Sequence, residues 1–148
     1  MLKLNISEKT GKTYKLEFEG ESLFGKELNQ KFQGEEISPD LTGYEFEITG
    51  ASDKAGFPSL DFAEGINLQK ALLSYGKGMK KRPKREGKKK RSKNRPKGLR
   101  LRKTVRGKTL SEAIVQVNLK TLKEGAKSLA SVFPEQNKPK TEEVKVVA

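Results

Sequence analysis

The sequence contains no cysteine and no histidine. Disulfides, thiolate nucleophiles, imidazole general bases and the usual zinc ligands are excluded together. Any catalysis would have to come from carboxylate, lysine, hydroxyl or phenol groups. Apolar residues are also scarce, at 32% of 148 positions, whereas average soluble domains reach ~45–50% with glycine counted. No stretch approaches the ~18 to 20 consecutive apolar residues of a membrane-spanning helix. The opening "MLKLNISEKTGKTYKLEFEG" lacks the basic-then-apolar order of a signal peptide. These absences describe a cytoplasmic chain with a small core, and its length suits one domain.

Positive charge is abundant and concentrated. Residues 77–108 hold 18 of the 32 Lys and Arg residues and one acid, Glu86, a local charge of +17, whereas the other 116 residues balance to −4. A mildly acidic body therefore carries a single cationic segment. Pro83, Pro96, Gly87 and Gly98 prevent it from forming one continuous helix. Its arginines offer planar forks of donors that match phosphate oxygens, and its lysines act as point charges. Between Tyr75 and Phe133 there is no aromatic residue on which a base could stack. Recognition would then rest on phosphates, shape and the sugar edge, as for folded RNA. No recognition helix for DNA is evident.

Around this segment the pattern is that of strands. Leu2, Leu4 and Ile6 alternate with Lys3, Asn5 and Ser7, and Tyr14, Leu16 and Phe18 alternate with Lys15, Glu17 and Glu19. Gly11 in "EKTGKT" would turn the first strand into the second as a hairpin. Tyr44, Phe46 and Ile48 repeat the alternation, residues 49–58 read as a loop, and "NLQKALLSY" is read as a strand. After the basic excursion, Val115, Val117 and Leu119 mark a returning strand with Gln116, Asn118 and Lys120 on its other face. Ala126, Leu129, Ala130 and Phe133 have helical spacing, which Pro134 ends. The expected architecture is mainly β: a small β-barrel-like sheet domain with a basic inserted excursion, a short C-terminal helix and a polar tail. One domain should span residues 1–133, with 134–148 a flexible tail.

Two motifs point elsewhere and are incomplete. "TGKT" at residues 10–13 and "GKT" at 107–109 echo a phosphate-binding loop, but the required upstream glycine is replaced by Ile6 and Arg102. Glu35, Glu36 and Asp40 form an acidic loop cluster whose spacing matches no ion-binding loop. Metal-dependent RNA cleavage there is a distant third possibility, behind structural RNA binding and nonspecific nucleic-acid or RNA-chaperone binding.

Four blocks in order, "LKLNIS", "ITGASDKAGFP", "KGLRLRKTVRG" and "SEAIVQVNLKTLKEG", resemble small-subunit ribosomal protein six of the archaeal and eukaryotic type. The resemblance covers about the first 125 residues. It implies a small β-barrel-like domain in the small ribosomal subunit, bound to ribosomal RNA beside neighbouring ribosomal proteins. No enzymatic activity, cofactor, metal, membrane association or homo-oligomer is implied. Arg100, Arg102, Lys103 and Arg106 sit in the matching block and are the RNA contacts it implies. Charge alone adds Lys80, Lys81, Arg82, Lys84, Arg85, Lys88, Lys89, Lys90, Arg91, Lys93, Arg95, Lys97 and Lys108. Gly56, Phe57 and Pro58 are expected to form a packed turn. The chain departs from the family in three places. Ser59 stands where Met usually follows "GFP". The basic segment is longer than its counterpart. The chain ends at Ala148, without the long C-terminal helix and regulatory serines of eukaryotic members, so a short archaeal-type form is expected.

Overall fold

Alternating apolar side chains dictate the first hairpin, and the burial follows the alternation. The structure is a computed structural model, described here for residues 1–82, 87 and 92–137. β1 (Leu2–Ser7) buries Leu2, Leu4 and Ile6 and pairs antiparallel with β2 (Thr13–Phe18), Leu4 facing Leu16 and Ile6 facing Tyr14. Gly11 makes the turn with φ of 90°, a conformation open to glycine and costly for most other residues. β3 (Lys31–Gln33) and β4 (Glu45–Asp53) form a second antiparallel pair, linked by short 3-10 turns at Gly34–Glu36 and Pro39–Leu41. β7 (Ile114–Lys123) lies between the two hairpins, parallel to β1 and antiparallel to β4. The resulting sheet has the order β2-β1-β7-β4-β3.

β7 is thus hydrogen-bonded on both sides. Val117 faces Leu4 in β1 and Ala51 in β4, and Leu119 faces Ile6 and Ile48. All six belong to the main core, with Tyr14, Leu23, Tyr44 and Phe46 among its other members. Tyr44 and Phe46 stack at 5.6 Å, and the Tyr44 hydroxyl donates to Lys127 O at 2.5 Å, so the buried phenol has its partner.

The mainly β class holds, but the barrel-like closure does not. Among the described residues β2 and β3 remain the two ends of an open sheet. β3 is only three residues long before Gly34 turns the chain into a 3-10 segment, which leaves too little backbone to pair across a closing seam. The β2 edge is instead covered by side chains. Gln136 accepts from Lys15 N and donates to Lys15 O, each at 2.7 Å, and Asn137 donates to Thr13 O at 2.9 Å. A glutamine amide thereby imitates one residue of a strand, which protects an otherwise open edge. The remainder of the anticipated tail, 138–148, lies outside the described residues.

Three boundaries differ from the expectation. The segment 49–58 is not all loop, because β4 continues to Asp53 and only then turns, with Gly56 at φ of 87° and Asp53 N donating to Phe57 O. The small residues Gly50, Ala51 and Ser52 carry no alternation, and register shifts in the β4/β7 pairing break the period further. The C-terminal helix contracts to α1 (Leu129–Val132), with Ser128 as its cap and Phe133 stacked on Tyr14 at 5.7 Å. The third difference is a strand inside the basic segment. β5 (Leu68–Leu73) pairs antiparallel with β6 (Leu101–Arg106) as a separate two-stranded ribbon.

That ribbon has its own small core of Leu60, Ala63, Leu73, Met79 and Val105, with Ala71, Leu99 and Leu101 packed against it. Ser59 lies beside this core, buried, and its hydroxyl has no hydrogen-bond partner among the described residues. Among the described residues no helix is long and apolar enough to cross a membrane.

Candidate nucleic-acid interface

The ribbon decides where the cations go. In β5/β6 the residues Leu73, Val105 and Leu101 point to the small core, so by the two-residue period Lys103 shares their face and Arg102 the opposite one. Lys103 is accordingly half-buried, whereas Arg102 is exposed, opposite Leu72. Residues 74–100 leave the end of β5 and return to the start of β6, so both ends of the basic excursion are fixed by one hairpin. A segment held at both ends loses less entropy on binding than a free tail.

Apart from the half-buried Lys103, the structure sorts the anticipated contacts into three groups. Lys80, Lys81, Arg82, Lys93, Arg95, Lys97, Arg100 and Arg102 are exposed. Lys84, Arg85, Lys88, Lys89, Lys90 and Arg91 lie outside the described residues. Arg106 and Lys108, at the far end of β6, are engaged within the protein. Arg106 Nε donates to Asp53 Oδ2 at 3.0 Å, and its Nη1 donates to Ile66 O at 3.2 Å. Lys108 lies between Glu27 at 3.2 Å and Glu64 at 3.1 Å. Its ammonium pKa is raised, chiefly by the hydrogen bond to Glu64 and then by that to Glu27.

Asp53 is the fastening between the β4 end and the ribbon. Burial pushes its carboxyl pKa up, but donation from Phe57 N at 2.8 Å and from Arg106, with the Arg106 charge, outweighs this and holds it below the usual value. The pair is well sheltered, the side chains being 4% exposed for Asp53 and 17% for Arg106. Arg106→Gln should therefore cost about 3 kcal/mol in a denaturant melt, because it leaves a buried carboxylate without its partner charge. Arg102→Gln should stay within about 0.5 kcal/mol. The depressed Asp53 pKa also fixes a pH dependence. Its contribution is present above about pH 4 and is lost as pH falls through the folded-state value. Asp53→Asn should flatten that part of the acid limb.

The glycine after β6 has a separate reason. A Cβ at Gly107 would lie 1.8 Å from Gly65 O, so the backbone of the 60s loop passes directly against it. The "GKT" at residues 107–109 is thus a close backbone crossing. The first "TGKT" is the β1/β2 turn.

Two of the three residues of the acidic cluster are held in separate ion pairs. Glu36 binds Lys26 at 2.9 Å and Asp40 binds Lys127 at 3.2 Å. Among the described residues no group of three or more acidic side chains converges as ligands would.

Sequence reading overlooked the apolar surface beside the cations. Phe62, Ile66, Leu68, Leu72 and Tyr75 are all exposed. Leu68 and Leu72 occupy the outward face of β5 with Lys70 between them. The available signal was the spacing of these three in "LQKALL", which a strand places on one side.

The described residues form an open β-sheet that carries a basic hairpin excursion with a surface of exposed cations. The chain belongs to the ribosomal protein S6e family, whose profile matches residues 2–134. It is 35% identical over 133 residues to small ribosomal subunit protein eS6 of Methanosphaera stadtmanae, covering 88% of this chain and 91% of that protein. The eS6 proteins of Methanocaldococcus jannaschii and Archaeoglobus fulgidus are 37% identical over 125 residues and 35% identical over 133 residues. These alignments cover 84% of this chain and 84% of the first protein, and 86% of this chain and 91% of the second.

Proposed function

We propose that this chain is a structural, non-catalytic component of the small ribosomal subunit in the cytoplasm. In this reading it binds folded ribosomal RNA through the excursion between β5 and β6 and lies beside other ribosomal proteins. The observation that carries it is the group of eight exposed cations at Lys80, Lys81, Arg82, Lys93, Arg95, Lys97, Arg100 and Arg102. They stand in a window whose sequence holds one acid. Lys84, Arg85, Lys88, Lys89, Lys90 and Arg91 belong to the same proposed surface by charge alone. Lys103 contributes through a half-buried stem. Arg106 and Lys108 support the interface by holding the ribbon to the body. Residues 1–133 act as one unit, in a single copy per particle.

The family relationship and the archaeal eS6 relatives favour this reading over a free RNA chaperone. Binding of a small-subunit ribosomal RNA fragment and of a random duplex, each followed against salt, tests it. Preference for the ribosomal fragment, lost when Arg100 and Arg102 are replaced by Gln, supports it. Equal affinities for both RNAs would make the chain a nonspecific polycation.

A further inference from the structure

We infer that the root of the basic excursion is a pocket for one unpaired nucleotide, with the base on Tyr75 and its phosphate among Lys81, Arg95 and Lys97. This rests on the RNA-binding reading above and adds to it what part of the RNA is recognised. Tyr75 stands two residues after the end of β5 and is 63% exposed, in a position where its ring covers no core. The ring is nevertheless held. Gly76 and Met79 exchange backbone hydrogen bonds at 3.2 Å, and Met79 is buried in the small core of the ribbon. This tight turn fixes Tyr75 relative to Lys81, whose Nζ lies 4.5 Å from the ring centroid.

The surroundings fit a nucleotide in both shape and charge. Tyr75, Lys81, Arg95, Pro96, Lys97 and Leu99 line a cavity of about 410 Å³, within the ~300–1,000 Å³ typical of small-molecule sites. Tyr75, Lys81 and Arg95 also border a second cavity of about 420 Å³. Every charged residue lining either cavity is cationic. A nucleotide offers a flat π-face to the tyrosine and the proline, and an anion to the cations. A base within a paired helix hides its faces in the stack, so the pocket selects bulged or looped nucleotides. An acidic protein segment would satisfy the cations but leave the flat ring without a matching partner.

The test uses two hairpin RNAs identical except that one carries a single bulged 2-aminopurine. The wild-type chain should bind the bulged hairpin about tenfold more tightly and quench its fluorescence, as a base–aromatic stack would. Tyr75→Leu should abolish both the preference and the quenching, while affinity for the paired hairpin stays within about twofold. Tyr75→Phe should retain both. The exposed position leaves the core intact, which an unchanged melting midpoint in each variant verifies. Equal wild-type affinity for the two hairpins, or a preference that survives in Tyr75→Leu, overturns the pocket and leaves the RNA-binding reading in place. Absence of salt-sensitive binding to either hairpin overturns both.

Discussion

Val117→Asp should leave no cooperative unfolding transition at neutral pH. Val117 is fully buried in β7, between Leu4 on β1 and Ala51 on β4, so the strand cannot rotate the new side chain outward without breaking two ladders. The substitution forfeits roughly 1.5–3 kcal/mol of side-chain burial. It also places an unpartnered carboxyl in the core, at a further cost of several kcal/mol. The sum approaches the whole stability of a domain, roughly 5–15 kcal/mol. Burial would raise the folded-state pKa of the new carboxyl, so the folded state would bind more protons than the unfolded one. The variant should therefore regain stability as pH falls, opposite in sign to the effect of Asp53. Lys120→Gln, on the exposed side of the same strand, should change the melting midpoint little. An unchanged midpoint for Val117→Asp would mean that the faces of β7 are reversed.

The second large effect is on RNA affinity. If six to ten of the cations neutralise phosphates, binding should weaken by about 10³- to 10⁵-fold between about 50 and 200 mM salt. Replacing Lys80, Lys81, Arg95, Lys97, Arg100 and Arg102 together by Gln should lower the slope of log K against log salt by about 5, or ~0.9 for each phosphate no longer neutralised. The six are exposed, so the melting midpoint should hardly move. Within this set, Arg102 is fixed on the ribbon. Its single replacement should cost about 1–3 kcal/mol on the ribosomal fragment and less on a random duplex. Replacing Lys93 should weaken both equally. Salt titrations of each variant against both RNAs measure these outcomes, and an unchanged slope in the sixfold variant would remove the excursion from the interface.

The strands that alternate cleanly were legible in the sequence, because burial on one face of a sheet imposes a period of two. Leu2, Leu4 and Ile6 predicted β1, and Val117 and Leu119 predicted the inward face of β7, but Val115, expected beside them, is only half-buried and Ile114 takes the core position, because the ladder to β4 shifts register there. β6 was hidden by its own charge. In "LRLRKTVR" the inward residues include Lys103, so charge masked a strand whose Leu101 and Val105 still follow the period. The extension of β4 to Asp53 was hidden for another reason, since glycine, alanine and serine give no pattern where the ladder slips register.

The site was legible as a charge density and not as a set of roles. Composition identified the cations, but only three-dimensional pairing separates Arg106 and Lys108, which face Asp53, Glu27 and Glu64, from exposed neighbours such as Arg100 and Arg102. Asp53 and Arg106 are far apart in sequence, and nothing local in either segment announces the pair. Tyr75 was read as the boundary of an aromatic-free stretch. The fold makes that boundary the root of the excursion, where an exposed ring meets Lys81.

Ultraviolet crosslinking of the chain within native small ribosomal subunits, followed by identification of the crosslinked peptides, tests the central claim most directly. Crosslinks should concentrate between Tyr75 and Arg102, with Arg106 and Lys108 poorly represented because their side chains face Asp53, Glu27 and Glu64. Crosslinks confined to the outer faces of β1 and β2, with the excursion unlabelled, would contradict it.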